Sequence, residues 1–194
     1  MRKRLAIIYL AILVAACQYN TPENNKFKSL KEKETGIDFV NELRFDPTLN
    51  ILEYLYYYNG GGAGIGDLNG DGLEDVYFTG NQVADQLYFN QGNMKFKNVS
   101  KEAGISQDPF WSTGVSIDDV NNDGHLDIYV SKIALFNGEK GANELYINQG
   151  DGTFVEMAKD YGVDFEGFST QAAFLDYDLD GDLDMYLLNH AIHS

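Results

Sequence analysis

The sequence predicts an all-β fold, a partial β-propeller built from four-stranded blades. Three observations support this: a nine-residue acidic loop occurs three times, β-branched and aromatic runs flank the loops, and a shared hairpin phrase follows the first two. The loops begin at Asp67, Asp119 and Asp176, which are 52 and 57 residues apart. This spacing is typical of four-stranded propeller blades, whereas solenoids of single strands repeat faster.

The first seventeen residues resemble the signal peptide of a bacterial lipoprotein. Basic residues 2–4 precede an apolar stretch at 5–16, which suits a signal-peptide core and is too short to span a bilayer. Residues 13–17 resemble a lipobox, in which the cysteine is acylated, so we expect Cys17 to carry the lipid. A core cysteine is the alternative, but this lone cysteine directly follows small residues, which favours lipidation.

Residues 18–34 are polar and lack apolar periodicity, so we expect them to form a flexible tether. The tether would join the membrane anchor to a propeller domain at residues 35–194. Gln18 follows the cysteine, where enteric bacteria use aspartate to favour inner-membrane retention. We therefore expect an extracytoplasmic, lipid-anchored protein at the outer membrane or cell surface of a bacterium.

Each acidic loop has the ligand spacing of a calcium loop. Oxygen-bearing side chains occupy positions 1, 3, 5 and 9, glycine at position 6 permits a sharp turn, and position 7 offers its backbone carbonyl. The predicted ligands are Asp67, Asn69, Asp71, Leu73 and Asp75 in loop 1, Asp119, Asn121, Asp123, His125 and Asp127 in loop 2, and Asp176, Asp178, Asp180, Asp182 and Asp184 in loop 3. Hard oxygen ligands suit Ca²⁺, so we expect about three calcium ions.

The residues after each loop distinguish it from an EF-hand. An EF-hand needs a bidentate Glu at position 12, where this chain has Phe78, Val130 and Leu187. The residues that follow position 9 are short β-branched or aromatic runs of strand character. The loops are therefore expected to join strand to strand.

The segments between loops share a hairpin and a helical turn. Residues 87–92 and 145–150 both read Leu-Tyr-x-Asn-Gln-Gly, and Asn-x-Gly before a strand-like residue predicts a hairpin. Residues 99–105 and 157–163 predict one helical turn ended by glycine, and residues 35–39 echo that ending. We expect about two whole blades with partial units at both ends, and the N-terminal part of a longer propeller protein.

These motifs resemble the FG-GAP and VCBS repeats of integrin α-subunit propellers and bacterial surface proteins. The likeness runs from about residue 36 to the end of the chain and rests on the acidic loops and hairpin phrases. Residues 58–62, 111–115 and 176–184 are similar to bacterial VCBS-repeat lipoproteins related to cartilage acidic protein, which often carry an ASPIC/UnbV domain; no such segment is present in these 194 residues. The resemblance implies a module for adhesion or glycan handling, with protein or glycan ligands at the cell surface.

Charge argues against nucleic-acid binding. The chain has 30 acidic and 14 basic residues and a formal net charge of -16. About three bound Ca²⁺ ions would still leave a field that repels phosphate backbones. We therefore expect a membrane anchor and a protein or glycan ligand, and no nucleic acid.

The sequence offers little support for catalysis. It contains neither Gly-x-Ser-x-Gly nor His-Glu-x-x-His, and its clustered aspartates have a role in the acidic loops. His190 and His193 form a weaker candidate for a transition-metal pair. We expect a binding module and not an enzyme; the alternative is the non-catalytic part of an extracytoplasmic enzyme whose active site lies beyond residue 194.

Aromatic residues are a second candidate ligand signal. Tyr54 and residues 56–58 form a dense tyrosine run, and Phe110 and Trp111 precede the second acidic loop. These rings could form a surface that stacks on sugars or peptides. The alternative, which we favour, is that they pack between blades.

Overall fold

The computed structural model describes residues 27–45, 47, 49–134 and 141–190. Cys17, the predicted signal peptide, residues 18–26 of the predicted tether and His193 lie outside these ranges. A compact unit begins at Lys31. None of the helices in the described ranges has the length and apolar character that a membrane crossing requires.

The described residues form three antiparallel sheets and two short helices. Blade 1 contains β1 (Ala63–Gly66), β2 (Asp75–Phe78), β3 (Gln86–Asn90) and β4 (Phe96–Asn98), and blade 2 contains β5 (Ser112–Asp118), β6 (Asp127–Lys132), β7 (Glu144–Asn148) and β8 (Phe154–Glu156). Blade 3 contains β9 (Ser169–Leu175) and β10 (Asp184–Asn189), and the helices are α1 (Glu32–Thr35) and α2 (Ala158–Tyr161). The all-β prediction with four-stranded propeller blades is confirmed.

Blades 1 and 2 repeat the same strand register. Val76 pairs with Tyr88 between the second and third strands of blade 1, and Ile128 pairs with Tyr146 at the equivalent place in blade 2. The predicted hairpins connect the third and fourth strands of each blade. In the first hairpin, Gly92 has a φ of 79° and its N–H donates to the Asn90 side chain at 2.9 Å, which is how Asn-x-Gly sets the turn.

The glycines that end the segments before blades 1 and 2 pack against the blade that follows, whereas a Cβ atom on Gly162, before blade 3, would meet nothing within 4 Å. A Cβ atom on Gly104 would lie 2.6 Å from the Phe154 carbonyl oxygen, and one on Gly36 would lie 2.6 Å from that of Phe96. Only glycine allows this approach at a positive φ. The segment before blade 1 therefore contacts blade 1 in the same way as the segment before blade 2 contacts blade 2. This agrees with the predicted partial unit before blade 1.

The predicted tether overlaps the folded unit at its C-terminal end. Glu32–Thr35 form α1, where the Glu34 carboxylate accepts a hydrogen bond from the Lys31 N–H at 2.9 Å and left-handed Gly36 ends the helix. This side-chain cap satisfies one of the N–H groups that a helix start leaves free. The compact unit that begins at Lys31 therefore includes the last four residues of the predicted tether.

Buried apolar side chains lie mainly between adjacent blades. One cluster joins Leu68, Tyr77 and Leu87 of blade 1 to Ile128 and Tyr146 of blade 2, and a separate cluster joins blade 2 to blade 3. Within the described ranges, no third strand pairs with β10, and several of its side chains are exposed, whereas every residue of β6 is buried.

Candidate metal loops and an aromatic cavity

Each acidic loop connects the first two strands of its blade. Strand pairing closes the loop at its base, because position 9 pairs with the residue just before position 1: Gly66 with Asp75 and Asp118 with Asp127. In blade 3, Leu175 pairs with Asp184 in the same way. The prediction that these loops join strand to strand is confirmed.

The carboxylate at position 1 organises the loop backbone. Asp67 accepts hydrogen bonds from the N–H groups of Asp71 and Gly72, at 3.0 and 2.9 Å. Asp119 and Asp176 accept the same pair of bonds from Asp123 and Gly124, at 3.0 and 2.8 Å, and from Asp180 and Gly181, at 3.1 and 3.2 Å. The three loops therefore share one backbone conformation.

Positions 3, 5 and 7 interact locally. In loop 1, the Asn69 amide donates to the Asp71 carboxylate at 3.2 Å, and the Leu73 N–H donates to the same carboxylate at 2.9 Å. Asn121, Asp123 and His125 repeat these contacts in loop 2 at 2.9 and 2.9 Å, while Asp182 donates its N–H to Asp180 at 3.2 Å in loop 3. The His125 side chain is exposed.

The carboxylate at position 9 links its loop to the third strand of the blade. Asp75 is buried and accepts from the N–H groups of Leu68 at 3.0 Å and Asn90 at 2.7 Å. Asp127 is equally buried and accepts from Val120 and Asn148. Burial raises the pKa of Asp75 to about 6 and also raises that of Asp127.

Position 9 differs in the third loop. Asp184 is exposed and accepts a bond from the Tyr177 N–H at 3.0 Å. Among the described residues, no third strand supplies the second donor that Asn90 and Asn148 supply in blades 1 and 2.

The third loop brings three carboxylates together. One oxygen from each of Asp176, Asp178 and Asp180 lies within 4.8 Å of the others. A set of carboxylate oxygens at this separation fits a hard divalent cation such as Ca²⁺. Loops 1 and 2 carry Asn69 and Asn121 at position 3, so their side chains offer one amide oxygen in place of the third carboxylate.

Two asparagines have a role that the sequence analysis did not predict. Asn148 donates its side-chain amide to the carbonyls of Leu68 in loop 1 and Leu126 in loop 2, both at 2.9 Å, and so connects two acidic loops. Asn90 makes the intrablade bond to Glu74 at 2.9 Å. Their identical place in both hairpin phrases is the only signal of this role in the sequence, and the Asn-x-Gly turn by itself already explains it.

The aromatic residues divide between a core and a cavity. Tyr57 and Trp111 are each 2 % exposed and, with Tyr54, belong to one buried cluster, which confirms the packing interpretation for these three. Tyr58 is exposed. Tyr56 is half-buried and stacks on the His190 ring with their centroids 3.9 Å apart.

A cavity of about 410 Å³ lies where the first strands of the three blades begin. Its lining includes Thr113 and Thr170, which stand at the same place relative to their acidic loops, together with Tyr56, Trp111 and His190. The described residues that line it carry no acidic, lysine or arginine side chain. Burial lowers the pKa of His190, which favours its neutral imidazole.

Comparison with known proteins identifies the family. A family model described as an FG-GAP-like repeat matches residues 67–130 and 133–187. The chain belongs to the FG-GAP-like repeat family. The first FG-GAP-like match contains loops 1 and 2, and the second contains loop 3, so the structural repeats and the family match cover the same part of the chain.

Curated relatives of this FG-GAP-like chain include two mammalian proteins. It is 30% identical to human Cartilage acidic protein 1 in an alignment of 132 residues that covers 61% of this chain and 19% of that protein. It is 25% identical to the mouse Cartilage acidic protein 1 in an alignment of 146 residues that covers 71% of this chain and 21% of that protein. The matched region thus spans about a fifth of the length of each relative.

Proposed function

We propose that this chain is a calcium-stabilised β-propeller module, lipid-anchored outside the cytoplasm of a bacterium, that binds protein or glycan ligands at the cell surface. The observation that carries the calcium part is the shared geometry of the three acidic loops. In each loop the position 1 carboxylate holds the backbone turn, and in loop 3 one oxygen from each of Asp176, Asp178 and Asp180 lies within 4.8 Å of the others.

The electrostatics of the loops support a divalent cation. Carboxylates that share a short loop repel each other, and a cation removes that repulsion while adding coordination bonds. The formal net charge of -16 means that acidic groups elsewhere in the chain add to this repulsion. Calcium would therefore stabilise the strand pairs that the loops join, by binding the folded state alone.

The predicted export signal is consistent with this role. Extracellular calcium modules commonly bind at roughly 0.1 to 1 mM, a range that an extracytoplasmic setting can supply. Cys17 at the end of the predicted signal peptide would hold the propeller at the membrane, with residues 18–30 as the spacer.

A binding role is preferred to a catalytic one because the buried ionisable groups are engaged in structural contacts. Asp85 accepts bonds from Gly80, Ser112 and Tyr77, and the ammonium of Lys132 lies 2.6 Å from the Glu144 carboxylate. None of these residues lines the cavity at the start of the three blades. Asp85 connects blade 1 to Ser112 of blade 2, and the Lys132–Glu144 pair connects two strands within blade 2, as expected of a scaffold that presents a binding surface.

The test is calorimetric titration of Ca²⁺ into the full-length chain, kept in a detergent without a sugar headgroup and first treated with a chelator. About three ions should bind. Asp67→Ala, Asp119→Ala and Asp176→Ala should each remove one site, because each deletes the position 1 carboxylate of one loop.

Asp108→Ala is the matched control, since Asp108 is an exposed aspartate outside the loops and its removal changes the net charge equally. Its stoichiometry should equal that of the unmodified chain. If all three loop variants also kept that stoichiometry, the calcium assignment would be wrong.

A further inference from the structure

We propose that the cavity between the beginnings of β1, β5 and β9 binds a neutral carbohydrate. This inference rests on the proposed binding function and names the ligand class and its location. The cavity volume of about 410 Å³ lies within the range of roughly 300 to 1,000 Å³ that small-molecule sites occupy.

The aromatic part of the lining offers a surface for a sugar ring. Tyr56 and His190 stack with an interplanar angle of 13°, so the two rings form one rigid unit at the cavity. Trp111 belongs to the neighbouring core cluster and also borders the cavity, but its side chain is only 2 % exposed, so the stacking surface is that of Tyr56 and His190. Such rings combine an apolar face with a polar edge, which matches the apolar C–H faces and hydroxyl edges of a pyranose.

Trp111 also supplies a hydrogen-bond donor without a protein partner. Its indole N–H makes no hydrogen bond in the described structure. Among the described residues, Ser131 Oγ is the only side-chain polar atom that is both fully buried and without a hydrogen-bond partner. The indole nitrogen also lacks a protein partner, so solvent reaches it, although Trp111 is only 2 % exposed. A ligand hydroxyl in the cavity can accept this hydrogen bond in place of water.

Amide side chains provide the remaining polar contacts. Asn59 lines the cavity, is exposed, and makes no side-chain hydrogen bond within the described ranges. Gln171 donates its amide to the carbonyl of Val115 at 3.0 Å, which fixes the side chain and leaves its carbonyl oxygen as an acceptor. Paired donors and acceptors of this kind suit vicinal hydroxyls, which both give and receive hydrogen bonds.

The charge of the cavity selects against ionic ligands. Its described lining holds no acidic, lysine or arginine side chain, and burial of His190 favours the neutral imidazole. A phosphate or carboxylate would find no cationic partner there and would be repelled by a chain of net charge -16. A cationic ligand would find no carboxylate in the cavity. A neutral polyhydroxyl ring meets neither penalty.

The experiment screens the calcium-loaded, full-length chain against neutral sugars by saturation-transfer NMR and calorimetry. The probes are glucose, galactose, mannose, N-acetylglucosamine, cellobiose and chitobiose, and the detergent has no sugar headgroup. At least one probe should bind saturably. Tyr56→Ala should weaken that binding about tenfold, because it removes the stacking surface.

Two further variants separate loss of the site from loss of the fold. Asn59→Ala changes an exposed side chain that the fold does not use and should weaken binding severalfold. Tyr58→Ala removes an exposed neighbouring tyrosine that does not line the cavity, so it should bind like the unmodified chain.

Several outcomes would overturn the inference. One is a folded chain that binds none of the probes, and another is sugar binding that Tyr56→Ala and Tyr58→Ala affect equally. If an extended peptide binds in the cavity and no sugar does, this inference fails while the proposed binding function stands. If sugar binds but no calcium does, the metal part of the proposed function fails and this inference stands.

Discussion

Asp85 and Asn143 occupy equivalent positions in blades 1 and 2 and contact equivalent neighbours. Asp85 accepts bonds from the hydroxyls of Tyr77 at 3.2 Å and Ser112 at 2.9 Å. Asn143 instead donates its amide to the hydroxyls of Tyr129 and Ser169, both at 2.9 Å. In each case the serine belongs to the next blade, so one buried side chain joins two blades whether it is an acid or an amide.

The difference between acid and amide predicts a pH-dependent stability. Burial raises the pKa of Asp85 to about 6. The negative charge of Glu144 adds to this rise, and the positive charge of Lys132 opposes it. Since the folded pKa lies above the unfolded one, the contribution of Asp85 to stability is complete below about pH 4 and is lost as pH rises through about 6. The loss amounts to at most about 3 kcal/mol for a shift of this size.

Asp85→Asn should remove this dependence, because an amide can repeat the bonds of Asn143 without a charge. We expect the variant to gain stability relative to the unmodified chain between pH 4.5 and 7, measured by urea unfolding in the same calcium buffer. Asp108→Asn, at an exposed site, should follow the unmodified chain. Parallel pH profiles for Asp85→Asn and the unmodified chain would contradict this account of Asp85.

At the scale of the strand and loop, Asn148 couples two blades at their acidic loops. It lies at the end of β7, and its side-chain amide reaches one carbonyl in each of loops 1 and 2. Asn90, at the end of β3, makes the corresponding intrablade bond, while both asparagines bind the hairpin glycine in the same way. Asn148 therefore makes one inter-blade hydrogen bond, to the Leu68 carbonyl, that Asn90 lacks.

Asn148→Ala should lower the free energy of unfolding by about 2 to 3 kcal/mol, because two carbonyls lose a buried donor. Asn90→Ala should cost about 1 kcal/mol, since its bond to the Glu74 carbonyl is exposed to water. Urea unfolding of both variants measures the difference. Equal losses would show that the bond to Leu68 does not stabilise the pair of blades.

For the whole molecule, calcium and stability should be linked through all three loops. At 10 mM Ca²⁺, a site with a dissociation constant of roughly 0.1 to 1 mM stabilises the fold by about 1.4 to 2.7 kcal/mol. Three such sites together reach a large part of the 5 to 15 kcal/mol that is typical of a folded domain.

We therefore expect chelation to lower the melting temperature steeply and calcium to restore it in proportion to the logarithm of its concentration. The triple variant Asp67→Ala, Asp119→Ala and Asp176→Ala lacks the position 1 carboxylate in all three loops. Its melting temperature should not depend on the calcium concentration. A calcium response that survives in this variant would place the stabilising ions elsewhere.

The sequence by itself determined the repeating unit. The turn glycines, the acidic spacing, the Asn-x-Gly hairpins and the glycine-ended turns all act within a few residues, and local backbone preference and side-chain oxygens are enough to specify them. The loop boundaries, the strand-to-strand connection and the blade pattern could therefore be predicted from residues alone. The same local reasoning gave no sign of the helix at Glu32–Thr35, because four residues are too few to leave an apolar pattern.

Only the tertiary structure decided how the units meet. The bond from Asn148 to Leu68 spans 80 residues, and that from Ser112 to Asp85 spans 27. Whether a tyrosine joins the core or lines a cavity depends on which strand of another blade packs against it, as Tyr57 and Tyr56 show. Contacts between distant residues leave no periodicity in the chain, so packing and burial had to be seen in three dimensions.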